Sequence, residues 1–246
     1  MARLSVNLNK VALLRNARRT GVPDVLRFGR LARDAGAHGL TVHPRPDERH
    51  IRRSDVPALA ALMAPWRPAF EFNVEGYPDD AFLALVERVA AEQCTLVPDA
   101  PDTFTSEEGW RLDGDAGALV RGAVARLKRS GCRAVVFVDP DPVAVERAAA
   151  AGADGVEIYT GGYAAAFARG EFGPALDACA EAARRAADLG LLVNAGHDLN
   201  LVNLAPLVAA LPALHEASIG HELTADALAM GWAAAVSAYR DALAGR

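Results

Sequence analysis

Residues 23–44 read PDVLRFGRLARDAGAHGLTVHP, a helix signal joined directly to a strand signal. Pro23 and Asp24 mark a helix start, because proline fits the first helical positions and an aspartate oxygen can take up a free backbone N–H. The segment behind them has helical periodicity, and Gly36 stands where the helix hands over to the next element. GLTVHP (39–44) follows, short, apolar and partly β-branched, which is the composition of a strand.

The same unit recurs along the chain. LSVNLN (4–9), FEFNV (70–74), CTLVPD (94–99), AVVFVD (134–139), GVEIYT (155–160), LLVNAG (191–196) and EASIGH (216–221) bring the strand-like runs to eight. Most are separated by Ala/Leu/Arg/Glu-rich helical segments, and Gly131, Gly152 and Gly190 repeat the handover seen at Gly36. The connection PDPVAVERAAAAGAD is short, and EASIGH is thin in β-branched residues. Strand followed by helix, repeated, requires parallel pairing, which leaves an open doubly wound sheet or a closed (β/α)8 barrel. Eight runs in 246 residues is the barrel count, and no G-x-G-x-x-G follows the first run. The expectation is an α/β fold, a single (β/α)8 TIM barrel spanning 1–246 with extra helices in the βα loops. In it the apolar runs fill the barrel interior, and reactive groups stand at the strands' C-terminal ends, with polar residues scarcer at the opposite ends.

Composition removes several functions. A formal net charge of −5 and a pI near 5.7 argue against a broad nucleic-acid face while leaving room for local anion sites. Cys94, Cys132 and Cys179 lie far apart without a C-x-x-C pair, the usage of reduced core thiols. MARLSVNLNK lacks an apolar signal core, and no apolar stretch reaches membrane-span length, so no membrane association and a cytoplasmic location are expected.

The polar residues follow the barrel rule. Asn7 and Asn9 end the first run, His43 and Arg45 the second and Glu75 the third; Asp99, Asp139, Glu157, His197 and His221 end later ones. Four of six histidines, His43, His50, His197 and His221, map to one face. They come singly from separate strands, with neither H-x-H after the first strand nor H-E-x-x-H, so the spacing does not indicate a metal. His43, His197 and Glu75 are instead groups whose burial can tune them for proton transfer.

Phosphate binding has separate signals. NAGHDLN and SIGHEL occupy the last two βα loops, where Gly196 and Gly220 allow close approach of an anion. KVALLRNARRTG carries Lys10, Arg15, Arg18 and Arg19, either a solvated helix face or, with Arg45, a second anion site. PDAPDTFTSEEGWRLDGDAG is a long polar connection, either a passive surface loop or a lid that brings Thr105 to a substrate.

SVNLNKVALLRNARR, GLTVHPRPDERHI, FNVEGYP, CTLVPD, VEIYTGGYA, VNAGHDLNLVNL and SIGHELTADAL together resemble, in order and along nearly the whole chain, the pyridoxine 5′-phosphate synthase family. The resemblance implies a TIM barrel assembled as a homo-octamer that condenses 3-amino-2-oxopropyl phosphate with 1-deoxy-D-xylulose 5-phosphate, using no metal and no cofactor. It implies His43 and Glu75 as proton acceptors, His197 as proton donor and Glu157 as an assisting group. Asn7, Arg18, Arg45, His50, Thr105, Gly220 and His221 are implied as substrate and phosphate contacts. Asn9-Lys10 stands where many family members have Asp-His, and Asp198 where others have glycine; these three are read as lining the substrate site. Two other readings remain open from the residues: a phosphosugar aldolase or isomerase using Lys10 as a Schiff base, and a non-catalytic barrel that binds phosphorylated metabolites.

Overall fold

A computed structural model describes residues 1–99 and 108–245. Eight strands, β1 (Arg3–Asn7), β2 (Gly39–Val42), β3 (Glu71–Gly76), β4 (Gln93–Leu96), β5 (Arg133–Val138), β6 (Gly155–Tyr159), β7 (Leu192–Gly196) and β8 (Leu214–Ile219), pair in parallel. They close in sequence order, β8 returning to β1 through Arg3↔Glu216 to Val6↔Ile219. The (β/α)8 expectation therefore holds, including the thin final strand.

Among the described residues there are eleven helices: α1 (Asn9–Asn16), α2 (Val25–Asp34), α3 (Asp55–Met63), α4 (Asp80–Val89), α5 (Gly114–Arg129), α6 (Pro142–Ala150), α7 (Gly161–Ala168), α8 (Gly173–Asp188), α9 (Leu204–Ala210), α10 (His221–Met230) and α11 (Trp232–Leu243). The extra ones fall after β1, β6 and β8. Asp24 caps α2, accepting from the N–H groups of Leu26 (2.9 Å) and Arg27 (3.3 Å), as its position in the sequence foretold. Gly36 and Gly152 turn the chain at φ 92° and 85°, a conformation that side chains resist. No helix among the described residues is long and apolar enough to cross a membrane.

The barrel interior differs from expectation. Ser5 Oγ meets Thr41 Oγ1 at 2.7 Å, Asn73 Nδ2 donates to Thr95 Oγ1 at 3.1 Å, and Gln93 of β4 reaches Glu216 of β8, on the opposite wall, at 3.2 Å. The lumen is thus largely polar, with Val135 and Phe137 of β5 as its buried apolar exceptions. Leu4, Val6, Phe72, Val74, Val156 and Ile158 belong to the core shared with the helices. The cause is the period of two: RLSVN, EFNVE and VEIY alternate, and both faces of a closed barrel are buried, so a run that looks apolar hides a polar face. Polar residues are also not scarce at the N-terminal ends. Arg3 pairs with Glu71 at 3.1 Å, Arg133 pairs with Glu71, and Gln93 and Glu216 complete a polar layer there.

Burial pushes the Glu216 carboxyl up to about 8, helped by Glu71. Between its ordinary 4.5 and about 8, the folded chain keeps a proton that the unfolded chain has lost, so this contribution to stability falls as pH rises. Above about pH 6.5 the buried histidines no longer oppose the trend, their folded-state pKa values being depressed. Urea denaturation should show that raising the pH from about 6.5 to about 8 destabilises the protein by about 1–2 kcal/mol more than it destabilises Glu216→Gln.

Candidate active site

At the C-terminal mouth of the barrel lies a cavity of about 640 Å³. It gathers Asn7, Asn9, Lys10, His43, Arg45, His50, Glu75, Glu157, His197, Asp198, Gly220 and His221. Of the residues singled out from sequence, Arg18 is exposed beyond the end of α1 and outside this lining, and Thr105 lies outside the described residues.

Each wall has a local cause. β1 ends at Asn7, whose side chain accepts from the Asn9 N–H at 2.9 Å and donates to Glu75 Oε2 at 3.4 Å. Asn9 Oδ1 accepts the His43 N–H at 2.9 Å, so Asn9 braces the β2 end through its side chain. α1 shapes the segment after β2. Arg15 is buried against Asp55 (2.7 Å) and donates to the His50 carbonyl, while Asn16 Nδ2 donates to the carbonyls of Glu48, Arg49 and His50. Arg15 is therefore a structural clasp and not part of a second anion site. His50 Nδ1 accepts from the Ile51 N–H at 2.9 Å, which leaves Nε2 as the donor of the neutral ring.

Arg45 and Asp99 form a buried pair at 2.7 Å, joining the ends of β2 and β4. On the far wall, His197 packs its ring against Phe137 (centroids 4.9 Å apart) and Tyr159 (5.4 Å). Thr95 Oγ1 donates to Glu157 Oε2 at 3.4 Å. Gly220 N-caps α10, placing His221 and the helix's free N–H groups at the rim, an arrangement that favours anions.

The electrostatics divide by residue type. Burial holds His43 well below the usual imidazole range, and the Arg45 guanidinium, together with repulsion from His50 and His197 in their protonated forms, adds to it. Burial likewise takes His50 down to about 4, with Arg45 and Lys10 contributing. His197 is lowered by burial, which Asp198 and Asp99 partly oppose. Burial, with Glu157 and Asp99 nearby, pushes Glu75 well up, and burial takes Glu157 to about 7 against the Thr95 hydrogen bond. Neutral imidazoles thus face protonatable carboxyls, the groups that proton transfer near neutrality requires.

Sequence reading passed over Tyr159, Ser218 and Glu222, which also line the cavity. Tyr159 is two residues from Glu157 and Ser218 two from Gly220, so the strand period carried the signal for both. Among the described residues no three His, Cys, Asp or Glu side chains converge as a metal site would need. The three cysteines are free and buried, as their spacing suggested.

A closed parallel barrel whose mouth combines buried acid–base groups with a helix N-terminus and cationic side chains has the equipment of a phosphometabolite enzyme. The chain belongs to the family described as pyridoxal phosphate biosynthesis protein PdxJ, whose model matches residues 4–245. It is 52% identical to the pyridoxine 5′-phosphate synthase of Albidiferax ferrireducens, covering 96% of this chain and 95% of that one. To the protein of the same name from Brucella suis it is 53% identical, covering 99% of both chains. Two solved structures of low identity share the fold. The BexX/CysO complex of Amycolatopsis orientalis has a TM-score of 0.63 at 18% identity, covering all of this chain and 89% of that chain. A phosphoribosyl anthranilate isomerase has a TM-score of 0.59 at 12% identity, covering both chains fully.

Proposed function

We infer that this chain is a pyridoxine 5′-phosphate synthase, condensing 3-amino-2-oxopropyl phosphate with 1-deoxy-D-xylulose 5-phosphate to pyridoxine 5′-phosphate, phosphate and water. The observation that carries the reading is the convergence of His43, Glu75, Glu157 and His197 on one cavity that also holds Lys10, Arg45, His50 and the start of α10. Imine formation, phosphate loss and ring closure are successive proton transfers, and several acid–base groups in one enclosure suit them. His43, kept neutral by burial, and Glu75 serve as proton acceptors. His197 serves as donor: burial disfavours its charged form, and an arriving phosphate dianion favours it.

Arg45 and His50 grip the ketose phosphate, His50 through its Nε2–H. Gly220, His221 and Asn7 hold the second substrate, with Lys10, Asn9 and Asp198 shaping the same wall. The family resemblance alone assigns further substrate contacts to Arg18, which stands outside the cavity lining, and to Thr105. The assembly is a homo-octamer, consistent with the exposed Leu13 and Leu14 of α1 and Leu228 of α10. Three buried free thiols fit a cytoplasmic location.

The test is to mix the purified protein with both substrates and follow pyridoxine 5′-phosphate by absorbance and mass. Product from the pair, and none from either substrate alone, is the expected result. A folded protein that binds the ketose phosphate but forms no product would overturn the reading.

A further inference from the structure

Thr160 and Asn203 stand at the starts of α7 and α9, positions where threonine and asparagine ordinarily accept a free helix N–H, yet neither side chain caps its helix. Both are buried and turned instead toward the loop after β7. Thr160 Oγ1 lies 2.6 Å from the Gly196 carbonyl and 2.7 Å from the His197 carbonyl, sharing its one hydrogen between them. The Thr160 N–H donates to the same Gly196 carbonyl at 3.0 Å. Asn203 Nδ2 donates to the Asp198 carbonyl at 3.0 Å, while Asn203 Oδ1 accepts the Asn200 N–H at 2.8 Å. Tyr163 Oη donates to the Asn203 carbonyl at 2.7 Å and fixes that residue in turn.

The segment so held is strained. His197 and Asp198 are consecutive non-glycine residues with φ of 84° and 56°, in the left-handed region that side chains disfavour. Such a conformation persists only where the surroundings over-determine it, and here the carbonyl of each strained residue is gripped by a buried side-chain donor. A return of His197 to negative φ would swing its Cβ and carry the ring away from Phe137 and Tyr159. The hydrogen bonds of Thr160 and Asn203 therefore maintain the one backbone conformation that keeps the His197 imidazole seated between those rings.

We propose that Thr160 and Asn203 are positioning residues for the reaction, forgoing their helix caps to lock the strained His197–Asp198 backbone and so aim the His197 ring into the cavity. The proposal rests on the reading of the cavity as a pyridoxine 5′-phosphate synthase site. Neither residue lines the cavity, so each acts through the loop and not through substrate.

Thr160→Val keeps the branched shape and deletes the donor, while Thr160→Ser keeps the donor. Expected for Thr160→Val is a kcat lower by about 10–100-fold, since misplacement by about an ångström has that scale, with both KM values within about 3-fold of wild type. Thr160→Ser should restore kcat to within about 3-fold. In substrate-free protein labelled with 13C-histidine, the His197 ring resonances, assigned by their loss in His197→Gln, should move in Thr160→Val and hold in Thr160→Ser. Wild-type kcat in Thr160→Val, or unmoved His197 resonances, would overturn the proposal. Should Thr160→Val not fold, Asn203→Asp, which replaces a donor by an acceptor facing the Asp198 carbonyl, is held to the same two readouts. A wild-type protein that makes no product sinks the functional reading alone, because the resonance measurement needs no catalysis.

Discussion

Glu75→Gln is expected to lower kcat by about 10²–10⁴-fold, the scale of one lost general acid–base group. The substitution preserves shape, and the glutamine carbonyl can still accept from Asn7. Folding should not suffer: Glu75 is buried near Glu157 and Asp99, which burden its charged form, and a neutral amide removes that repulsion. Urea denaturation midpoints should match or exceed wild type while turnover collapses. The pH profile supplies a second signature. A carboxyl raised well above its ordinary range accepts protons only above that raised pKa, so wild-type kcat/KM falls as pH drops through it. That acidic limb should be absent from the residual activity of Glu75→Gln. Retention of near-wild-type kcat would remove Glu75 from the chemistry.

Gly196→Ala is expected to lower kcat by about 10²-fold although it adds one methyl group. A Cβ at this position would sit 2.4 Å from Glu157 Oε1 and 3.4 Å from the Ser218 carbonyl. Glu157 must then move by about 1 Å to regain ordinary contact, leaving the place where Thr95 holds it. Overpacking should also cost about 1–3 kcal/mol of stability. Gly162→Ala is the control, since nothing lies within 4 Å of its added carbon, and it should behave as wild type. Equal kcat in Gly196→Ala and wild type would show that Glu157 tolerates displacement and takes no part in the reaction.

Much of the site was legible because barrel geometry turns order in the sequence into position in space. Once strand and helix alternate, whatever follows each strand lies on one rim, and His43, Glu75, Glu157, His197 and His221 meet there although up to 178 residues separate them. The arginines after β1 were not legible in this way. Arg15 and Arg18 read alike in a basic run, but α1 ends at Asn16, before Arg18, and only the partner Asp55 on α3 decides that Arg15 turns inward.

The sequence by itself determined the alternation of elements, their closure into a barrel and the identity of most groups at its mouth, because hydrophobic period, helix caps and handover glycines are local signals. The tertiary structure alone decided which strand face looks into the lumen, so that Gln93, Glu157 and Glu216 became interior groups, the two carboxyls with raised proton affinity. It alone decided, too, that Thr160 and Asn203 leave their helices uncapped to hold His197. Proton affinity and backbone strain depend on neighbours brought together from distant parts of the chain, and no local pattern encodes them.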